Sequence, residues 1–302
     1  MLLTIGSRGS KLALWQAEWA ASRLRAKGRE VKIKVIKTAG DRQPAAALAH
    51  AETKGLFIKE IEEALIAGEI DIAVHSLKDL PVGQPEGLYV AAVPPREDAR
   101  DALILNSGAQ ASGFTNLPRG ARIGTGSPRR CSQLLHLRPD LEIVSVRGNV
   151  DTRLRKLESG NYDALVMAGA GMHRLGLRGR IAEYFPVDQL CPAPGQGAMA
   201  IEIRRDDEQA AASVLPLDDH STHLAIRAER AFLQRLGGGC RVPIGAFAAF
   251  QDAFLELTGV VASPDGARVL RAARRGVADD PEALGNRAAE DLLEQGAREL
   301  LQ

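Results

Sequence analysis

Two stretches decide the fold: "LTIGSRGSKLALWQ" at residues 3–16 and "ARIGTGSPRRCSQLL" at residues 121–135. Each passes from a short apolar strand, through glycine and a hydroxyl residue, to arginine and the start of a helix. After Ser10, the residues Leu14, Ala17, Ala21 and Leu24 fall on one helical face. Around the first stretch, "VKIKVIK" (31–37) alternates as a strand does, and "LFIKEIEEALIAG" (56–68) is an amphipathic helix stopped by Gly68. "DIAVH" (71–75) is a short buried strand. Around the second stretch, "SPRRCSQLLHL" (127–137) reads as a helix, "EIVSV" (142–146) as a strand, "VDTRLRKLESG" (150–160) as a helix and "DALVMAG" (163–169) as a strand. Repeated βαβ units predict largely parallel sheets covered on both faces.

The blocks are joined by "PPREDARD" (94–101) and "CPAPGQGAMAIEI" (191–203), both suited to crossings between domains. If the strand after the second crossing returns to the first sheet, two connections join the domains and permit a hinge. Beyond Leu217 the pattern changes to a helix at about 218–236, strands near 246–251, 254–262 and 268–274, and a helix from about 281. The expected fold is therefore α/β plus α+β. Two similar doubly wound, periplasmic-binding-protein-like domains (1–94 with 194–213, and 98–190) face a cleft, and a smaller α+β domain (217–302) follows.

At 302 residues two or three domains are expected, and a net charge of +1 gives no polyanion-binding signature. Ser7, Arg8 and Lys11 interrupt any secretory apolar core, and no run approaches a membrane span, so a cytosolic protein is expected. Cys131, Cys191 and Cys240 are odd in number and far apart, which argues against a disulfide framework or a zinc ribbon.

Six arginines stand at strand ends and helix starts: Arg8, Arg129, Arg130, Arg147, Arg153 and Arg174. Such ends form the ligand crevice of doubly wound domains. Helix N-termini there present free N–H groups and a positive dipole end, and Ser7, Ser10, Thr125 and Ser127 add hydroxyls. Arginine binds carboxylate or phosphate through paired hydrogen bonds. "GTGSPR" lacks the third glycine of a dinucleotide loop and no Walker A pattern is present, so a polycarboxylate is favoured over a nucleotide. The bland alternative is that these arginines are solvated surface groups.

"HSLKDLP" (75–81) places Ser76, Lys78 and Asp79 after a buried strand. In an extended segment Ser76 and Lys78 face one ligand and Asp79 another part of the site. An ionised Asp79 can stabilise a developing cation or move protons. The same residues also make an ordinary turn. His220 and His223 are three apart on a helix without a third ligand nearby, His75 reads as structural, and no metal is expected. The 43–54 segment reads as a loop over the cleft.

Cys240 lies in "RLGGGCRVPIGA" (235–246), with Gly239 before it and Arg241 after it. Arg241 favours the thiolate. A catalytic thiol, a redox sensor, a covalent attachment point and an inert loop residue all remain open on physical grounds.

Taken together, "GSRGSKLALWQA", "KGLFIKEIEEAL", "DIAVHSLKDLP", "REDARDAL", "IGTGSPRR", "VRGNVDTRL", "CPAPGQGA" and "GGGCRVPIGA" run in order along the chain and resemble the porphobilinogen deaminase (hydroxymethylbilane synthase) family. Ala99 stands where the family usually has proline, and the residue before Lys54 is not the usual glycine. The resemblance implies a dipyrromethane cofactor held by a thioether to Cys240. It implies that Ser76, Lys78, Asp79, Thr125, Ser127, Arg129 and Arg130 bind that cofactor. Arg8, Ser10, Arg147, Arg153 and Arg174 would hold the incoming pyrrole and the growing chain. Porphobilinogen would lose ammonia to give a cationic azafulvene, with Asp79 stabilising the charge. The free α-carbon of the terminal cofactor pyrrole would attack it. Four such rounds and capture by water would give hydroxymethylbilane, a step of tetrapyrrole and haem biosynthesis. A loop bearing Lys54 and Phe57 would move to make room. A cytoplasmic monomer with porphobilinogen as its small-molecule partner, and neither nucleic acid nor membrane, is expected. Cys131 and Cys191 are read as packing residues. The competing reading is a two-lobed cytosolic binding protein for a polycarboxylate, which has no need of a pyrrole pair on Cys240.

Overall fold

The computed structural model describes residues 2–38, 58–238 and 242–301. It divides into two compact units, Met1–Glu97 with Ala198–His223, and Asp98–Gly197 with Leu224–Gln302.

The first unit begins with β1 (Leu2–Ser7), α1 (Lys11–Ala26), β2 (Glu30–Val35), α2 (Lys59–Ile66), β3 (Ile72–Ser76) and β4 (Leu88–Ala92). The second takes over with β5 (Asp101–Leu105), β6 (Arg122–Gly124), α3 (Pro128–Leu137), β7 (Glu142–Val144), α4 (Val150–Glu158), β8 (Ala164–Ala168), α5 (Gly169–Arg174) and β9 (Glu183–Tyr184). The chain then returns to the first unit as β10 (Met199–Arg204) and α6 (Glu208–Val214).

The first sheet has the order β2-β1-β3-β10-β4. Its two faces are covered by different helices. Ala17, Ala20, Ala21 and Leu24 of α1 pack with Leu3, Ile5, Ile72 and Val74. Ile61, Ala64 and Leu65 of α2 pack with Ile70, Ala73 and Leu88. Ile72 and Val74 therefore face one way and Ala73 the other, as the two-residue period of a strand requires. β1 is buried from Leu3 to Ser7, as befits a strand with neighbours on both sides, whereas β2 at the edge is largely exposed.

The second unit repeats this plan with the order β7-β6-β8-β5-β9. β6, β7 and β8 stand where β1, β2 and β3 stand, β5 replaces β10, and β9 replaces β4. The likeness of the two opening stretches is thus a likeness of whole sheets. Both sheets are mixed, where the sequence predicts largely parallel ones. β10 runs antiparallel to β3 and β4, and β5 runs antiparallel to β8 and β9. Apolar runs report a strand's burial and carry no information on its direction. The return of the first strand after the second crossing to the first sheet is observed directly.

The second unit also holds α7 (His220–Arg235, from Leu224 on), β11 (Ile244–Gln251), β12 (Phe254–Ala262), β13 (Val269–Val277), α8 (Pro281–Glu294) and α9 (Ala297–Leu300). The three strands form an antiparallel meander. Phe232 of α7 and Leu284, Ala288 and Leu292 of α8 share a core with Leu255, Leu257 and Val261 of β12. The two helices approach closely at Gly285, where a Cβ would lie 2.2 Å from the Ala228 carbonyl oxygen.

Candidate functional site

In the first unit, β1 and β3 deliver the expected residues. β1 ends at Ser7, whose buried Oγ donates to the Arg8 carbonyl at 3.2 Å. Ser10 caps α1, its hydroxyl accepting from Ala13 N–H at 3.3 Å. Arg8 between them is half-buried. At the end of β3, Ser76 Oγ accepts from the buried Gln16 amide at 3.0 Å. Extended backbone stops there. Leu77–Asp79 form a 3-10 turn, closed by Leu80 N–H donating to the Leu77 carbonyl at 3.0 Å. The alternation predicted for Ser76 and Lys78 therefore does not reach Lys78, because the chain coils as it leaves the sheet. Leu77 and Leu80 are buried, Lys78 is half-buried and Asp79 is exposed.

In the second unit, α3 presents Arg129 and Arg130, both buried. Ser127 is its N-cap residue and makes no side-chain capping bond, while buried Thr125 accepts from Ser127 N–H at 3.2 Å. Asp101, fully buried, lies between the two guanidiniums. Arg129 Nη1 donates to its Oδ2 at 2.7 Å and to the Cys191 carbonyl at 2.7 Å. Arg130 donates through Nε at 2.9 Å and Nη2 at 2.7 Å to Oδ1. Gln196 Nε2 joins them, donating to Asp101 Oδ1 at 2.8 Å and to the Ala99 carbonyl at 2.7 Å. Burial pushes the Asp101 carboxyl up, but the Arg129 and Arg130 guanidiniums outweigh it and hold the group well below the ordinary carboxylate range. Arg129 Nε is buried and has no hydrogen-bond partner among the described residues. A buried donor without an acceptor is unfavourable and marks a place for one.

The other arginines of this unit are placed as follows. Arg174 is buried in α5 and donates through Nη2 to the Gly197 carbonyl at 2.7 Å. Arg153 Nε donates to the Gly148 carbonyl at 2.8 Å. Arg147, half-buried, offers its carbonyl to Lys156 Nζ at 3.3 Å. The expected groups thus form one set in the first unit (Arg8, Ser10, Ser76, Lys78, Asp79) and one in the second (Thr125, Ser127, Arg129, Arg130, Arg147, Arg153, Arg174). Cys240, Lys54, Phe57 and the 43–54 loop lie outside the described residues.

Cys191 is fully buried, and burial pushes its thiol up to about 12. Cys131 is pushed up by burial as well. A thiol held protonated is a poor nucleophile. Among the described residues no cluster of His, Cys, Asp or Glu has the form of a metal site, and His223 Nδ1 lies 2.8 Å from Asp218 Oδ1.

Sequence reasoning missed four groups: Asp101, Gln196, Glu62 and Glu202. Asp101 and Gln196 sit inside quoted motifs, "REDARDAL" and "CPAPGQGA", but neither stands at a helix start. Glu62 is half-buried on α2, within the charge field of Glu202 and His75. Burial first, and then the Glu202 carboxylate, push its carboxyl up from 4.5 to about 7, with His75 opposing.

The family model described as "Porphobilinogen deaminase, dipyromethane cofactor binding domain" matches residues 3–212, and that of the "Porphobilinogen deaminase, C-terminal domain" matches residues 223–294. The chain belongs to the porphobilinogen deaminase family. Porphobilinogen deaminase of Syntrophotalea carbinolica is 50% identical over 99% of this chain and 95% of its own length. That of Desulforudis audaxviator is 50% identical over 99% of this chain and 96% of its own. A periplasmic substrate-binding protein of Coxiella burnetii aligns with 70% of this chain and 91% of its own at 16% identity and a TM-score of 0.45, too distant to carry any argument.

Two outcomes follow from the charges. Asp101→Asn leaves two buried guanidiniums without their anion and should lower the unfolding free energy by about 3–5 kcal/mol, read from urea denaturation at pH 7; an unchanged midpoint would contradict the pairing. Glu62 has a folded-state pKa raised above its unfolded value, so its contribution is fully present below pH 4.5 and is lost as pH rises through about 7. Glu62→Gln, which stays neutral, should gain thermal stability relative to the unsubstituted protein at pH 8 compared with pH 5, and a difference independent of pH would contradict the assignment.

Proposed function

We propose that the chain is a porphobilinogen deaminase that joins four porphobilinogen molecules, with loss of ammonia at each addition, onto a dipyrromethane held through a thioether to Cys240, and releases hydroxymethylbilane by hydrolysis. The observation that carries this reading is the buried pair Arg129 and Arg130 on a single carboxylate, with Arg129 Nε lacking an acceptor. That donor set fits a carboxylate-bearing cofactor. Cys240 is the attachment point because the chain has three cysteines and burial keeps the other two protonated. Relatives half identical over the whole chain bear the deaminase name, which favours the enzyme over a polycarboxylate-binding protein.

When bound, the dipyrromethane supplies the free α-carbon that accepts each pyrrole unit. In this reading Arg129, Arg130, Ser127, Thr125, Ser76 and Lys78 would hold its acetate and propionate groups. Arg8, Ser10, Arg147, Arg153 and Arg174 hold the carboxylates of the incoming pyrrole and the lengthening chain. Binding of this kind orients both reactants but does not by itself favour the transition state over the ground state. The Asp79 carboxylate does, because it opposes the positive charge that grows on the pyrrole as ammonia leaves. A ligand lying over exposed Asp79 lowers the local dielectric and strengthens that interaction. Asp79 also accepts pyrrole N–H hydrogen bonds and relays protons.

In the proposed organisation, residues 1–94 with 194–213 and residues 98–190 are the two lobes around a cleft, and 217–302 is the third domain carrying Cys240. The loop with Lys54 and Phe57 yields space as the chain grows. The enzyme acts as a cytoplasmic monomer without nucleic-acid or membrane partners; no helix among the described residues is long and apolar enough to cross a membrane.

Asp79→Asn tests the assignment. The purified variant should carry the mass of a dipyrromethane and turn over porphobilinogen at least about 100-fold more slowly. Near-normal turnover would remove Asp79 from this role.

A further inference from the structure

Glu202 is fully buried on β10, between Met199, Ala200 and Ile201 on one side and Ile203 on the other, all apolar and buried. An acid among them is unfavourable unless it is paired, and nothing in sheet packing requires one. Its two oxygens are used separately. Oε2 lies 3.1 Å from Nε2 of buried His75, and Oε1 accepts from Gln84 Nε2 at 2.9 Å. A carboxylate only accepts, so the His75 nitrogen facing it is the protonated one.

The positions of these partners are what matters. His75 is four residues before Asp79 on β3, and Gln84 is five residues after it. Between them the chain leaves the sheet, makes the Leu77–Asp79 turn, and passes Pro81 and Gly83. Leu77 and Leu80 anchor the turn from below. Glu202 thus fastens both ends of the segment that displays Asp79, from a strand that reaches the sheet by a separate crossing and pairs with β3 in register from Met199–Ser76 to Glu202–Ala73. Half-buried Glu62 on α2 lies in the same charge field.

We propose that Glu202 is a positioning residue for the deaminase reaction, fixing the Asp79 segment at both ends through His75 and Gln84 so that the Asp79 carboxylate is presented at a set point. This rests on the reading of Asp79 given under Proposed function. A carboxylate that must oppose a charge at one place on the substrate loses much of its effect when displaced by an ångström, whereas the arginine sites on other segments keep their hold. Loss of a tether should therefore lower kcat and leave KM nearly unchanged.

The test uses the full chain with its cofactor, verified by intact mass. The variants are Glu202→Leu, Gln84→Leu, the exchange Glu202→Gln with Gln84→Glu, and each single change combined with Asp79→Asn. The exchange restores an amide–carboxylate pair with donor and acceptor reversed, and Gln at 202 can still accept from His75. Each single change should lower kcat about 10- to 100-fold with KM within about threefold and the dipyrromethane mass retained. Hydrogen exchange of amides 77–83 should accelerate at least about tenfold while the rest of β3 is unaffected, a readout independent of turnover. The exchange should recover most of kcat. In the Asp79→Asn background, neither change should lower kcat further, because the group they position is gone.

Folded single variants with unsubstituted kcat and a lowered melting temperature would overturn the proposal and leave Glu202 a structural residue. Additive losses in the Asp79→Asn background would overturn it too. If Asp79→Asn itself turns over normally, the reading of Asp79 has failed and the proposal with it; if Asp79→Asn is inactive while the Glu202 and Gln84 variants are normal, the proposal alone has failed. Should Glu202→Leu not fold, Gln84→Leu at its half-buried position decides by the same readouts.

Discussion

Two guanidiniums cannot be buried side by side without an anion, and Asp101 is that anion. The cost of removing Arg129, Arg130 and Asp101 from water is offset only if every charge is matched in geometry, and here Asp101 takes hydrogen bonds from both arginines and from Gln196. One carboxylate accepts from both guanidiniums, while one buried donor, Arg129 Nε, has no acceptor within the described residues. A site built this way is rigid before a ligand arrives, which lowers the entropy lost on binding.

The same device recurs in the first unit with the opposite purpose. Each sheet takes in, antiparallel, the strand that follows a crossing of the chain, and each of those strands carries a buried acid: Asp101 on β5 and Glu202 on β10. Asp101 holds two cations, Arg129 and Arg130. Glu202 holds His75 and Gln84, which flank the segment carrying Asp79. The repeated strand order therefore places a buried counter-ion in one sheet and a double tether in the other on corresponding strands but at different positions along them, since Asp101 pairs with the last residue of β8 and Glu202 with the second residue of β3. The chemistry that the two sheets support differs because the residues facing these acids differ.

Much of the site was legible in the sequence, for a specific reason. Arginines at strand ends before helices, as in "IGTGSPRR", combine a topological position with a side chain suited to carboxylates. The helix read at about 218–236 is found as His220–Arg235, and the closing helix begins at Pro281 as expected. β4, β5, β9, α5 and α6 were not read as elements. "GAGMHR" of α5 has two glycines and no amphipathic period, so its helicity comes from packing against β8 rather than from local propensity. The direction of β5 and β10 was equally hidden, because pairing direction is settled by how the chain returns to a sheet. Buried acids such as Asp101 and Glu202 escape sequence reading altogether. An acidic residue in a strand looks the same in sequence whether it faces water or two arginines.

Under the proposed function, both buried acids serve a polycarboxylate fastened to this chain. The most direct measurement is the mass of the freshly purified, unmodified protein, followed by mapping of its tryptic peptides. The account predicts a polypeptide heavier by one dipyrromethane, with the added mass on the peptide containing Cys240 and none on those containing Cys131 or Cys191. A protein of bare polypeptide mass that still converts porphobilinogen to hydroxymethylbilane would contradict it.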